Sequence, residues 1–239
     1  MSADTSRKET YETVFLDIDG TLLWVDLDVE GYVADFAPYS SNGEVTVERA
    51  RGPVWRSVRR HIDENINHRT REDLARFKRE NASRVAREIG VEAPDELLSV
   101  VADRRISFKP FPESETFLAG LRERGKKICV VSNWDITLGD TLEDLGWLGY
   151  FDAVVASAEC GSEKPASDIF EEALRVMGET GSRERVVHVG NDPDSDVAGA
   201  AACGIDSVLV ARNGESAEEA EAVVSDLTQL FDLPGFADG

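Results

Sequence analysis

"VFLDIDGTLLW", residues 14–24, decides how this chain is read: an apolar run ends in two aspartates around one isoleucine, followed by a glycine. The run has the length and composition of a buried β-strand. Asp17, Asp19 and Gly20 then either make a simple turn or mark a sheet edge that holds chemistry.

The rest of the chain supplies partners for that strand. "KKICVVSN" (126–133), "FDAVVAS" (151–157), "RVVHVGN" (185–191) and "DSVLVA" (206–211) are further short apolar runs. Helical stretches near 114–124, 138–145, 167–178, 195–203 and 215–230 alternate with them. Several close on Gly125, Gly146, Gly178 or Gly204, where glycine can end a helix in the left-handed conformation. This alternation predicts an α/β fold, a mostly parallel sheet covered by helices on both faces.

The strand at 13–17 belongs to this pattern, yet its partners resume only after residue 106. Residues 1–22 and 107–239 are therefore expected to form the core, with 23–106 an inserted α-helical cap domain. Two long stretches carry the helical pattern of the insertion, "VERARGPVWRSVRRHIDENI" (47–66) and "TREDLARFKRENASRVAREIG" (70–90). The second opens on Thr70 with Asp73 three positions later, a capping-box spacing.

Charge bounds the function. The 239 residues carry a formal charge of −21, with six Lys against twenty Arg. That resembles the lysine-poor, acidic composition of proteins from salt-loving cells, where salt screens surface repulsion; an ordinary acidic cytoplasmic protein is the alternative. Such a field argues against non-specific nucleic-acid binding. Within the insertion the sign reverses: Arg49 to Arg87 holds eleven Arg and one Lys against five acidic residues. A solvated helix face accounts for part of this excess, and a surface facing an anion is the other reading. Three widely spaced cysteines form no disulfide or metal pattern, and no long apolar run or leader-like start is seen, so no membrane contact and a cytoplasmic location are expected. Oligomeric state, monomer or homodimer, is left open.

In a doubly wound sheet, ligands bind beyond the C-terminal ends of the strands. Asp17 and Asp19 follow the first strand, Ser132 and Asn133 the second, and Asn191, Asp192, Asp194 and Asp196 the "VVHVG" strand; Lys164 lies in a connection nearby. Clustered carboxylates in one crevice call for a compensating cation, and hard oxygen donors suit Mg2+. Asp17 would supply the first carboxylate, Asp196 or Asp192 a later one, and a backbone carbonyl near Asp19 another donor. Asp192 before Pro193 also has the pattern of a helix N-cap. His188, inside an apolar strand, is expected to be packed rather than catalytic.

"DIDGTL" (17–22), "VVSN" (130–133), "KP" (164–165) and "GNDPDSD" (190–196) together resemble the four ordered motifs of the haloacid dehalogenase-like hydrolases. The resemblance spans about residues 13–212 and implies a Rossmann-like α/β core with a helical cap after the first motif. It implies that Asp17 is a nucleophile forming an aspartyl phosphate, that Asp19 is the acid and then the base, that Ser132 holds phosphoryl oxygens, and that Lys164 stabilises the transferred group. Gly20, Thr21 and Asn133, in the same motifs, are expected to contact substrate, and Asp17, Asp19, Asn191, Asp192 and Asp196 to surround Mg2+. Asn191 departs from the family pattern, which often has aspartate there. The expected activity is Mg2+-dependent hydrolysis of a small phosphorylated metabolite. A 2-haloacid dehalogenase and a catalytically silent binding protein are the alternatives; an aromatic residue replaces the second aspartate in the L-2-haloacid dehalogenases, so Asp19 favours phosphate chemistry.

Overall fold

The structure is a computed structural model that describes residues 10–40, 43 and 45–236; the outermost ends of the expected core, 1–9 and 237–239, lie outside the described residues. The apolar run after Glu12 forms β1 (Thr13–Leu16), all four residues of which are buried. The chain continues through β2 (Leu23–Leu27) into α1 (Val29–Phe36), α2 (Val47–Glu64), α3 (Arg71–Ile89) and the short α4 (Asp95–Leu98) and α5 (Val101–Arg105). It returns through β3 (Ile106–Pro110), which pairs with β2 in a two-stranded sheet. Then follow α6 (Ser114–Glu123), β4 (Lys127–Ser132), α7 (Leu138–Asp144), β5 (Ala153–Ala156), α8 (Ser157–Cys160), α9 (Ser167–Met177) and β6 (Val186–Gly190). A π-helical turn at Pro193–Ala198 runs into α10 (Gly199–Ala202), followed by β7 (Asp206–Val210) and β8 (Ala222–Val224).

Six strands form one sheet in the order β5-β4-β1-β6-β7-β8, every pair parallel. β1 is central because its residues pack on both faces: Phe15 joins a cluster with Val131, Ile169 and Phe170. The registers Leu16↔Val130 and Leu16↔Val189 bring the C-terminal ends of β1, β4 and β6 side by side. That alignment collects the polar residues that follow each strand.

The expected helix at 215–230 is not formed. Ala222–Val224 instead pairs with β7, Val210 opposite Val224, and a 3-10 helix spans Leu227–Asp232. The Glu- and Ala-rich segment favours helix locally, but an open parallel edge accepts the β-branched pair Val223 and Val224, and tertiary pairing overrides local propensity. The expected helix at 195–203 is divided between the π-helical turn and α10.

The chain separates into two compact units. Among the described residues, one comprises 10–24, 110–133 and 138–236, and the other 25–109 with 134–137. In the second unit, Thr46 and Thr70 cap α2 and α3 by accepting from the N–H groups of Arg49 and Asp73. Gly90 ends α3 at φ +77°. Apolar residues recur along α3 at helical spacing, and Ala82, Val85, Ala86 and Ile89 pack with Tyr32, Phe36, Ala50 and Val54. Among the described residues no helix is long and apolar enough to cross a membrane.

Residues 134–137 follow the second motif in sequence but pack in the second unit, a placement the strand pattern does not reveal. Trp134 meets Phe108, with ring centroids 5.1 Å apart. Asp135, 4% exposed, accepts from the Thr137 N–H at 2.8 Å and lies 3.0 Å from His61 Nε2. Burial alone would raise the Asp135 pKa; hydrogen bonds from His61 and Thr137 outweigh it and bring it down to about 2. A carboxylate with a depressed folded pKa contributes stability above its unfolded pKa and loses it as pH falls through the folded value. Asp135→Asn is therefore expected to cost about 2 kcal/mol at neutral pH. Urea unfolding of both proteins checks this: the gap should persist above about pH 4 and close toward about pH 2.

Candidate active site

β1 delivers Asp17 into a nearly closed setting, 6% exposed, at the centre of the sheet's C-terminal edge. β4 ends on Ser132, whose hydroxyl donates to Asp17 Oδ1 at 3.0 Å. The loop before α9 brings in Lys164, whose ammonium donates to the same Oδ1 at 2.7 Å. Lys164 also donates to Asp196 Oδ1 at 2.6 Å, so one buried cation bridges two buried carboxylates.

The charges on this bridge are unevenly shared. Burial raises the Asp17 pKa, Lys164 opposes that rise and the Asp196 charge adds to it. Asp196 suffers burial too, but Lys164 and His188 together hold its pKa well below the usual carboxylate range. Burial would lower the Lys164 pKa; the two carboxylates overcome this and raise it, keeping the ammonium charged.

Asn133, expected to contact substrate, bonds through its side-chain amide to the backbone of Lys164. Its Oδ1 accepts the Lys164 N–H at 2.7 Å and its Nδ2 donates to the Lys164 carbonyl at 2.9 Å. The amide thus grips the lysine backbone from both sides. Asp192, one of the residues expected around the metal, has one carboxylate oxygen engaged in a helix cap. Its Oδ1 caps the π-helical turn by accepting from Asp194 N–H at 2.9 Å and Ser195 N–H at 2.7 Å. The N-cap reading of Asp-Pro is the one realised.

Asp196, 1% exposed, has partners on both oxygens: Lys164 and His188 at Oδ1, and the Asp192 N–H at Oδ2, 2.9 Å away. His188 was expected to be packed, and it is fully buried with its ring edge-on to Phe170. Its Nε2 also lies 2.9 Å from Asp196 Oδ1, a contact sequence reasoning missed. The signal was available: a histidine in the last turn of strand before an acidic loop has a carboxylate within reach.

Asp19, in contrast to Asp17, is exposed. Gly20 follows at φ +82°, and a Cβ there would lie 2.3 Å from Asn191 Nδ2, so glycine is required both by conformation and by the Asn191 side chain. The Thr21 hydroxyl lies 3.2 Å from both Asp17 Oδ2 and Asn191 Oδ1, bringing two hard oxygen donors to one hydroxyl. Among the described residues no group of three or more His, Cys, Asp or Glu side chains is arranged to hold a metal. Asp17 Oδ2 and the Asn191 amide oxygen are hard oxygen donors, a chemistry that suits a hydrated Mg2+ better than a nitrogen- or sulfur-seeking metal.

Comparison with known proteins agrees with these motifs. The profile of the haloacid dehalogenase-like hydrolases matches residues 11–204, and the chain belongs to that family. A glyceraldehyde 3-phosphate phosphatase of Methanothermobacter thermautotrophicus is 37% identical over 134 residues, 52% of this chain and 58% of that protein. A phosphoserine phosphatase of Thermus thermophilus is 34% identical over 161 residues, 64% of each chain. The matched region thus spans less than two thirds of either relative. A 2-haloacid dehalogenase from Pseudomonas syringae shares the fold at a TM-score of 0.63 and 24% identity, covering 93% of this chain and 97% of the other.

The bridge predicts a strong coupling. Lys164→Met leaves two buried carboxylates facing each other and is expected to cost about 3–5 kcal/mol. Adding Asp196→Asn should recover part of that loss. Chemical denaturation of the two single variants and the double variant at neutral pH measures the coupling; additive losses would contradict it.

Proposed function

We propose that this haloacid dehalogenase-like hydrolase is a phosphatase of small phosphomonoesters that works through a covalent intermediate on Asp17. The observation that carries this reading is the contrast between two aspartates one residue apart. Asp17 is buried and bonded to Ser132 and Lys164, whereas Asp19 is exposed to solvent. A buried, held carboxylate suits a nucleophile, and a solvent-accessible one suits proton transfer.

In the proposed reaction an Asp17 carboxylate oxygen attacks phosphorus while the bond to the leaving oxygen breaks. Asp19 gives its proton to that oxygen and becomes a carboxylate. It then takes a proton from water, whose oxygen attacks phosphorus and breaks the bond to Asp17. Inorganic phosphate leaves and both aspartates return to their starting states. Lys164 offsets negative charge at Asp17 throughout, and the Ser132 hydroxyl is free to turn from Asp17 to a phosphoryl oxygen. Asp17, Asn191 and the Asp19 carbonyl would hold Mg2+, with Asp196 acting on the site through Lys164. Bound Mg2+ would supply charge neutralisation for the nucleophile and the phosphoryl oxygens.

The names of the two curated relatives support a small phosphorylated metabolite as substrate. A dehalogenase reading draws on the shared fold alone, and halide departure has no use for the proton that Asp19 offers.

Phosphate release from p-nitrophenyl phosphate and a panel of sugar, amino-acid and carboxylic-acid phosphates, with and without Mg2+ in concentrated KCl, tests the reading. Turnover is expected only with Mg2+, and Asp17→Asn should reduce it by roughly 10⁴-fold or more. Chloride release from 2-chloropropionate without phosphate release from any ester would overturn it.

A further inference from the structure

The four motifs leave one well-placed cation unused. Arg212 follows β7 at the same sheet edge as Asp17, and the adjoining Ala211 N–H donates to the Val224 carbonyl at 2.7 Å, fixing the strand end. From there the guanidinium reaches the loop after β1. Its Nε donates to the Gly20 carbonyl at 3.2 Å and its Nη2 to the Thr21 carbonyl at 2.8 Å. The group also lies 3.5 Å from the centroid of the Phe111 ring, and Nη2 is 2.7 Å from Glu113 Oε1. With the side chains of Arg212 and Glu113 only 17% and 13% exposed, solvent screens this pair little.

The loop is held from its other end as well. The Leu22 carbonyl accepts from the Phe111 N–H at 3.1 Å and the Ser114 hydroxyl at 2.6 Å, and the Gly20 N–H donates to the Leu23 carbonyl at 2.7 Å. Asp19 therefore stands between a rigid strand on one side and two gripped peptide groups on the other.

We infer that Arg212 is a positioning residue for proton transfer: by gripping the Gly20 and Thr21 carbonyls it aims Asp19 at the leaving oxygen. A planar fork with donors spaced along one edge suits two successive carbonyls; a lysine ammonium does not. The inference rests on the phosphatase reading for its kinetic consequence, but not for the clamp itself.

The test uses two esters that differ in their need for a proton. Nitrophenolate leaves p-nitrophenyl phosphate without help, whereas the alkoxide of glycerol 1-phosphate needs Asp19. kcat/KM reports the first irreversible step, in which that oxygen departs. Arg212→Ala should lower kcat/KM for glycerol 1-phosphate by about 10- to 100-fold, and for p-nitrophenyl phosphate by less than about threefold. Arg212→Lys, which retains the charge over Phe111 but not the fork, should recover only part of the loss. Equal losses on both esters, or no loss on the alkyl ester, overturn the inference; if Arg212→Ala does not fold, the same ratio in Arg212→Lys decides. If the wild-type protein hydrolyses neither ester, amide hydrogen exchange still tests the clamp. Exchange should then accelerate at Gly20–Leu23 in the folded variant with β4 unchanged, and unchanged exchange at Gly20–Leu23 overturns it.

Discussion

The buried ammonium of Lys164 is the constraint on which the rest of the site depends. β1 and the loop after β6 bring Asp17 and Asp196 into a region with almost no solvent, where each ionised carboxylate raises the cost of the other. Lys164 offsets both charges, and Asn133 fixes its backbone with two hydrogen bonds. Secondary elements far apart in sequence are thereby tied through one charged group. The parallel sheet makes this possible by aligning the ends of β1, β4 and β6, and the bridge in turn fixes the loops that leave those ends.

Burial divides the candidate site residues into two groups. Asp17, Ser132, Lys164, His188 and Asp196 are all among the buried polar groups. Asp19, two residues beyond Asp17, is exposed. The change occurs within one turn, at a glycine whose positive φ and missing Cβ let Asn191 lie against the backbone. Asn191 in place of an aspartate removes one negative charge from the expected metal position, yet leaves an oxygen donor beside Asp17.

Most of the fold was legible because a parallel strand buried on both faces is a short continuous apolar run, and β1, β4, β5, β6 and β7 each read that way. β8 was not, since three residues in a Glu- and Ala-rich segment follow the sheet edge rather than their own preference. In the site, motif order brought Asp17, Ser132, Lys164 and Asp196 together on paper, and the structure brings them within hydrogen-bond reach of one another through Lys164 and Asp17. What the sequence left open was the direction of individual side chains. Asn133 grips the lysine backbone, Asp192 caps a helical turn and His188 braces Asp196, and each of these roles depends on side-chain direction, which residue type and spacing leave open.

The central claim is that Asp17 becomes covalently phosphorylated. The direct measurement is mass spectrometry of the peptide containing Asp17 after rapid acid quench during turnover of a phosphate ester. A phosphoryl group on Asp17, absent from the Asp17→Asn protein and decaying as inorganic phosphate appears, is the result the account requires. Steady phosphate release with Asp17 unmodified at every quench time, or with the phosphoryl group on another residue, would contradict it.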